Sequence, residues 1–348
     1  MSKIAVYAIG LNEAHNLRAW YESAKEADLV LYADTGSTDG SLELAKELGI
    51  QTFSICVNPW RFDVAKNTAL NLLPSDVDVA VSMDLDERLL AGWRDKVDYV
   101  WSPETTVLNH KYRNNGKAWQ WHSKIHARHG CHWRGVVHEE LFWSVEENVL
   151  WNHEIFLDEV QDLDKDRSGY MELLEKKVDE GDSSWRTLYF LANEYETQGE
   201  LDAAITARMD SFLVCEDGPV TQAYISRVVA RNLVKAERLE EAHVWFQRSV
   251  ALSDEREGWF HYAEFLYSIK SWQECYLAAK RCLKISSKRD GFTYDQVAWG
   301  FLAFDYAAIA AWNLGDYEAA AVYGERALEM EPANQRLKDN LEWYKNGK

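Results

Sequence analysis

The chain has 348 residues, of which 47% are hydrophobic and 27% are charged, and its formal net charge is −19. This length allows two domains, and the composition is typical of a soluble globular protein. The charge disfavours broad electrostatic binding to nucleic acid or to an anionic membrane, although it leaves room for a local basic pocket.

The cysteines and the N-terminus predict a cytoplasmic protein. The five cysteines are scattered and form no C-x-x-C pair, which favours reduced thiols over disulfides or a zinc site. The apolar run Ile4–Leu11 leads directly into Asn12 and Glu13, so we expect a first strand and not a signal peptide. No stretch approaches the roughly 20 apolar residues of a membrane span.

Strands and helices alternate over the first hundred residues. Strands are predicted at 4–9, 28–33, 50–57 and 77–83, and helices at 13–27, 41–48 and 64–72. This order predicts a mainly parallel sheet with helices on both faces. Ligands of such sheets bind beyond the carboxyl ends of the strands, where the sequence places Asn12, Asp34 and an acidic cluster at 84–87.

The fourth predicted strand ends in three acids within four residues, Asp84, Asp86 and Glu87. If the strand continues, Asp84 and Asp86 leave it from the same face, because they are two residues apart. Such oxygen ligands suit Mg²⁺ or Mn²⁺, especially an ion shared with a substrate diphosphate. The alternative is a solvated acidic turn after a buried strand.

The segment from Leu108 to His153 is crowded with aromatic, basic and histidine residues. It lacks a clean period, so we expect short strands mixed with loops. As the basic island of an acidic chain, it is the natural place to receive a phosphorylated ligand.

Helical repeats are predicted from about residue 165 to the end of the sequence. Four segments align on one template and start at Trp185, Ala223, Arg256 and Phe301, which are 38, 33 and 45 residues apart. They resemble tetratricopeptide repeats, most closely over 312–332, and 335–345 would be a capping helix. The alternative is an irregular helical bundle. The predicted domains are therefore 1–165 and 166–348.

Five motifs follow one another in the N-terminal part. They are Gly10–Glu13, Asp34–Ser41, Trp60–Asn67, Met83–Glu87 and Gly135–Glu139. Their order resembles family 2 glycosyltransferases of the GT-A fold, particularly the bacterial and phage branch in which tetratricopeptide repeats follow the catalytic domain. The resemblance covers about residues 1–160 and implies a Rossmann-like GT-A domain, a nucleotide-sugar donor such as a UDP-sugar, and an inverting transfer.

The resemblance implies a role for each candidate residue, according to its position within these motifs. The residues expected to bind the donor are Asn12, Glu13, Asp34, Lys66, Asn67, Asp84 and Arg134. Asp86 and His138 are the expected metal ligands, with Mn²⁺ or Mg²⁺ as the ion, and Glu139 is the expected general base. Glu87 could position donor hydroxyls, and Lys124 is a further candidate phosphate contact. The structural alternatives are an Asx-turn for Asp34 and a solvated helix start for Lys66 and Asn67.

Other functions remain compatible with the sequence. One is a tetratricopeptide-repeat interaction scaffold with an inactive transferase-like domain, although the acids expected at the site are all present. Another is a phage-type DNA-base glycosyltransferase, for which the basic segment would make the whole nucleic-acid contact. A dinucleotide oxidoreductase is disfavoured because no G-x-G-x-x-G follows the first strand. The expected acceptor is a protein, a peptide or a glycan, and the repeats could also join two copies of the chain.

Overall fold

The structure is a computed structural model that describes residues 2–114, 119–160, 169–287 and 295–346. It divides into two compact units, Met1–Leu173 and Leu174–Lys348. The predicted domain boundary between residues 165 and 166 lies outside the described residues.

The first unit alternates strands and helices as predicted. Its strands are β1 (Ile4–Gly10), β2 (Leu29–Asp34), β3 (Gln51–Ser54), β4 (Val79–Ser82), β5 (Glu87–Leu89), β6 (Val107–Asn114), β7 (Trp119–Ala127), β8 (Cys131–Arg134), β9 (Glu140–Trp143) and β10 (Val149–Glu159). Its helices are α1 (Ala14–Ala24), α2 (Ser41–Glu47), α3 (Phe62–Leu72) and α4 (Trp93–Val100), and α5 (Gly169–Asp179) crosses the division between the units. The elements predicted for the first hundred residues are present, with their ends shifted by a few residues.

Eight of these strands form one mixed sheet in the order β3-β2-β1-β4-β7-β6-β10-β5, and β8 pairs with β9 separately. The four strands β3, β2, β1 and β4 are parallel. β7 is antiparallel to both β4 and β6, and β5 is antiparallel to β10, whereas β6 and β10 are parallel. The prediction of a mainly parallel sheet is therefore wrong for the second half. Only residues 115–118 separate β6 from β7, and so short a connection joins antiparallel neighbours.

Alternate residues of β1 enter two different cores, as expected for a strand covered by helices on both faces. Val6 packs in one core with Trp20 of α1 and Trp93 of α4. Ala5 packs in the other with Leu70 of α3. The predicted helical layers are confirmed, and the carboxyl ends of β1, β2 and β4 meet at the edge where α1 begins.

The second unit is helical. Its helices are α6 (Trp185–Gln198), α7 (Leu201–Leu213), α8 (Pro219–Lys235), α9 (Leu239–Leu252), α10 (Arg256–Ser268), α11 (Trp272–Lys284), α12 (Leu302–Asn313), α13 (Tyr317–Met330) and α14 (Gln335–Asn346), with a short 3₁₀ turn at Gln296–Trp299. They form four successive pairs followed by the predicted terminal helix. None of the described helices is long and apolar enough to cross a membrane.

The helix pairs repeat the predicted template. In each pair, a single left-handed residue follows the first helix; these residues are Gly199, Glu237, Lys270 and Gly315, with φ of 83°, 59°, 58° and 82°. They are 38, 33 and 45 residues apart, the same spacings as the predicted repeat starts. The Ser211 hydroxyl donates to the Trp185 carbonyl at 2.7 Å, and the Ser249 hydroxyl donates to the Ala223 carbonyl at 2.8 Å. Equivalent contacts therefore recur between the two helices of a pair.

Candidate functional site

Two of the expected donor-binding residues shape the loop between β2 and α2. Asp34 is buried, and its Oδ2 accepts the backbone N–H groups of Gly36 at 3.1 Å and Ser37 at 3.2 Å. Asn12, at a φ of 58°, accepts the N–H of Thr38 through Oδ1 at 2.8 Å. Asp34 thus forms the Asx-turn considered as its structural alternative. A φ of 115° at Gly36 explains the glycine there.

The start of α1 is connected to the segment that follows β4. Glu13 precedes α1, and its carboxylate accepts the side-chain N–H of Asn16 at 2.9 Å. Arg88 donates to the Asn16 Oδ1 at 3.1 Å. Glu13 and the acidic segment at 84–88 consequently lie at the same edge of the sheet.

Three carboxylates and two ammonium groups form what we call the acid–lysine cluster, which consists of Asp84, Glu87, Glu139, Lys66 and Lys124. Nζ of Lys66 lies 2.7 Å from Oε1 of Glu139 and 3.5 Å from Oδ1 of Asp84. Nζ of Lys124 lies 2.8 Å from Oδ2 of Asp84 and also contacts Oε1 of Glu87. Each oxygen of Asp84 therefore faces a different lysine, and Asp84 is the centre of the cluster.

Four segments of the chain position this cluster. Lys66 lies on α3, and Glu139 lies between β8 and β9. Lys124 reaches Asp84 because β7 pairs with β4, with Ile125 opposite Val81 near the end of β4. The Glu87 carboxylate accepts the backbone N–H of Asp84 at 2.8 Å, which closes the turn after β4. The mixed half of the sheet, which the sequence did not predict, thus supplies one of the two ammonium groups.

Burial makes the cluster electrostatically strong. The side chain of Asp84 is 37% exposed, whereas those of the other four members are at most 14% exposed. Burial alone would lower the pKa of Lys124, but the carboxylates of Asp84 and Glu87 outweigh it and raise this pKa well above its ordinary value. For Lys66, burial likewise acts downward, and the charges of Asp84 and Glu139 raise its pKa. Burial raises the pKa of Glu87, against the effect of Lys124.

Trp133 supports Lys66 from β8. Nζ of Lys66 lies 4.9 Å from the centroid of the Trp133 ring, within the range of a cation–π contact. The indole N–H donates to the Tyr7 hydroxyl at 2.7 Å. Asn67 donates to the backbone carbonyl of Trp133 and accepts its N–H, both at 2.8 Å. The amide of Asn67, which we expected to bind sugar or ribose hydroxyls, therefore fixes β8 to α3.

Asp63 fixes the segment that carries Glu139. Its Oδ2 accepts the N–H of Gly135 at 3.1 Å, which ties this segment to the first turn of α3. Gly135 has a φ of 121°, and a Cβ there would lie 3.2 Å from Cα of Glu139. Glycine is therefore required both by the backbone conformation and by the close approach.

The other three expected site residues have different surroundings. Asp86 is buried, with 4% of the residue exposed. His138 is exposed at a φ of 53°, and its ring centroid lies 6.1 Å from that of Tyr170. The guanidinium of Arg134 packs over the ring of Phe142, 4.5 Å from its centroid. The assigned roles of these residues stay predictions.

The described residues fit a divalent cation only if it is shared with a ligand. Among them, no group of three or more His, Cys, Asp or Glu side chains is arranged to hold a metal ion. Asp84 is the most exposed carboxylate of the cluster, and a diphosphate bound beside it would add more negative charge. The charge balance thus suits a cation that arrives with the diphosphate, because Mg²⁺ is commonly held by one or two carboxylates together with substrate phosphates.

Two residues that support the site, Trp133 and Asp63, were not among the residues predicted to form it. Trp133 is one of 16 tryptophans in the chain, so its residue type carries no signal. Its contacts with Asn67 join positions 66 residues apart, and the contact between Asp63 and Gly135 spans 72 residues. Such pairings depend on how β8 packs against α3.

Part of the chain is similar to a protein whose name assigns an activity. Over 103 residues, it is 29% identical to an uncharacterized glycosyltransferase of Rickettsia prowazekii (strain Madrid E). The match covers 29% of this chain and 34% of that protein, so it spans about a third of the relative's length. No protein-family model matches the sequence.

Solved structures that resemble the chain include repeat proteins. MamA has a TM-score of 0.39 at 18% identity, covering 50% of this chain and 96% of MamA. YrrB, a TPR protein with an unusual peptide-binding site, has a TM-score of 0.40 at 16% identity, covering 49% and 81%. The pilF protein of Pseudomonas aeruginosa has a TM-score of 0.38 at 12% identity, covering 51% and 72%.

Proposed function

We propose that this protein is a metal-dependent, inverting glycosyltransferase of the GT-A type, which moves a sugar from a nucleotide-sugar donor to a protein, peptide or glycan. The observation that carries the proposal is the acid–lysine cluster, in which the partly exposed carboxylate of Asp84, just after β4, is surrounded by buried charges. The partial similarity to a named glycosyltransferase supports the same class of reaction.

The donor would lie over the carboxyl ends of β1, β2 and β4. Asp84 is the most exposed member of the cluster, so it would face the diphosphate, and the nucleoside would lie along Asn12, Glu13 and the loop that Asp34 closes. A bound Mn²⁺ or Mg²⁺ would stabilise the negative charge that develops on the leaving nucleoside diphosphate. Lys124 holds Asp84 in place for this interaction.

The acceptor would react on the side of Glu139. An inverting transfer needs one general base to take the proton of the attacking hydroxyl while the bond between the sugar and the phosphate breaks. Glu139 has the right chemistry, and Lys66 connects it to Asp84 through a single ammonium group. The helical repeats would hold the acceptor, since helix pairs of this kind present extended surfaces for binding.

A thermal-shift panel tests the proposal. UDP-, GDP- and dTDP-sugars are each added with and without Mn²⁺, and we expect at least one of them to stabilise the protein only when the metal is present. A ligand at a hundred times its Kd stabilises by about 2.7 kcal/mol, which is readily measured. If none stabilises the folded chain in either condition, the proposal is overturned in favour of an interaction scaffold.

A further inference from the structure

We propose that Lys66 is a positioning residue, which holds Glu139 at the acceptor side of the site, and that it does not bind the donor phosphates. This inference rests on the proposed function, in which Glu139 is the base. It replaces the role that the family resemblance implied for Lys66, that of a donor-binding residue.

The Lys66 ammonium is surrounded by three partners, of which Glu139 is the nearest. An ammonium group has three N–H donors. Glu139 lies at 2.7 Å, Asp84 lies at 3.5 Å, and the face of Trp133 lies beneath at 4.9 Å. These three partners account for the three directions, and the shortest contact is the one to Glu139. The side chain is 9% exposed, so a phosphate could reach it only by displacing a carboxylate.

Trp133 fixes the position of the Lys66 side chain. Lys66 and Asn67 are adjacent on α3, and both act on Trp133. Asn67 binds the backbone of Trp133 through two hydrogen bonds, and Lys66 rests on its ring. A long lysine side chain is thereby held in one place, as positioned groups at active sites require. The hydrogen bond between Asp63 and Gly135 fixes the segment of Glu139 to the same helix.

Lys124 provides the contrast within the same cluster. It is also a buried lysine that pairs with Asp84, at 2.8 Å, but its second partner is Glu87, the first residue of β5. The two lysines therefore have different roles in the cluster. Lys124 fixes the carboxylates at the end of β4, and Lys66 connects Asp84 to the proposed base.

A misplaced base slows the chemical step more than it weakens donor binding. A general base contributes typically 10²- to 10⁴-fold to the rate, and a misplacement of about 1 Å can cost about 10²-fold. Replacement of Lys66 should therefore lower kcat and leave the affinity for the nucleotide nearly unchanged.

The test compares Lys66→Met, Lys66→Arg and Lys124→Met, each made in the whole 348-residue chain. Calorimetric titration with UDP and Mn²⁺ measures nucleotide affinity, and hydrolysis of the UDP-sugar that stabilises the wild type most gives kcat and KM. For Lys66→Met we expect kcat to fall about 100-fold while the Kd for UDP stays within about threefold, in keeping with the contribution of a general base. Lys66→Arg should recover part of the lost kcat because it restores a cation, and only part because a guanidinium does not replace an ammonium at a buried, stacked site. Lys124→Met should instead weaken UDP binding, because it frees Asp84 to move.

Two results would overturn the inference alone. One is a rise of about tenfold or more in the Kd for UDP with kcat retained in Lys66→Met, because that pattern marks a phosphate contact. The other is additive unfolding free energies in the cycle of Lys66→Met, Glu139→Gln and the double variant, since additivity would show that the two side chains do not interact. The cycle needs no ligand, and the double variant removes the unpaired carboxylate that could unfold Lys66→Met. If the wild type binds no nucleotide at all, the proposed function fails, and the inference falls with it.

Discussion

Nζ of Lys124 lies 2.8 Å from Oδ2 of Asp84, so an ammonium on β7 holds the carboxylate that follows β4. The contact crosses from the parallel half of the sheet to the mixed half, which meet where β4 pairs with β7. It fixes the orientation of the one half-exposed carboxylate in a cluster of buried charges. Under the proposed function, a cation that binds together with the donor diphosphate would meet an Asp84 side chain that is already oriented, so that less conformational entropy is lost on binding.

Asp84→Asn should abolish the metal-dependent stabilisation by a nucleotide-sugar, and it should also lower the stability of the unliganded protein. The carboxamide is similar in shape but lacks the charge that would attract the cation. Because the two ammonium groups that Asp84 faces are at most 14% exposed, the loss of its charge should lower the unfolding free energy by more than the roughly 1 kcal/mol typical of an exposed pair. Differential scanning fluorimetry with and without Mn²⁺ and the nucleotide-sugar measures both effects. The matched control is Asp76→Asn, which breaks the surface pair with Lys3 and should leave the ligand shift intact.

Trp133→Phe should destabilise the first unit by about 1–3 kcal/mol and reduce activity. Phenylalanine keeps a ring beneath Lys66 but removes the N–H that donates to the buried Tyr7 hydroxyl. That hydroxyl keeps its contact with Nε2 of His126 at 3.1 Å, so the cost is that of one lost hydrogen bond together with the lost packing of the larger ring, about 1–3 kcal/mol. Urea unfolding monitored by circular dichroism measures the loss. The comparison variant is Trp151→Phe, because Trp151 is 49% exposed and its replacement should change stability by less than about 0.5 kcal/mol. Equal losses in the two variants would contradict the role given to Trp133.

The parts of the fold that could be predicted from the sequence are those with local or regular signals. The repeats were found from a template that recurs along the chain, and the structure keeps the same spacings in the left-handed residues that end the first helix of each pair. The parallel strands followed from apolar runs separated by amphipathic helices. The pairing of the strands from β6 to β10 could not be predicted from the sequence. The segment lacks a clean period, and its pairing includes register shifts in β6 and β10.

The candidate site shows the same division. Lys66, Asp84 and Glu139 were selected individually, and the structure brings them together. Which partner each residue has could not be predicted, because the contacts join distant segments. Asn67 illustrates this point, since an exposed amide at a helix start could bind a ligand, but here both of its functional groups bind the backbone of Trp133.

Acid should destabilise the first unit between about pH 6.5 and pH 4 through buried histidines. His110 is fully buried, and neither of its ring nitrogens has a hydrogen-bond partner in the described part of the chain. Burial lowers the pKa of His110 to about 4 and that of His126 to about 4. Below pH 6.5, the unfolded chain binds protons that the folded chain excludes, so stability falls as the pH falls, by at most about 1.4 kcal/mol per pH unit for each histidine.

The variant His110→Phe separates this contribution from those of the other titrating groups. It keeps a buried ring and removes one site that can bind a proton only in the unfolded state. Urea unfolding at several pH values from 5 to 8 should show a shallower dependence on pH than the wild type, by up to about one proton. An unchanged slope would show that His110 is protonated in the folded protein.

Glu237→Gly and Lys270→Gly should each stabilise the helical unit. Both residues have a φ near 60° after the first helix of their pair, where the other two pairs have Gly199 and Gly315. A left-handed residue with a Cβ costs about 1–2 kcal/mol, and glycine loses part of that gain through its greater freedom in the unfolded chain. We therefore expect a net gain of about 0.5–1 kcal/mol per substitution, measured by thermal unfolding. Gly199→Ala and Gly315→Ala are the matched reverse changes. No atom lies within 4 Å of a Cβ built at either glycine, so a loss of stability in these variants would report the backbone conformation and not a steric clash.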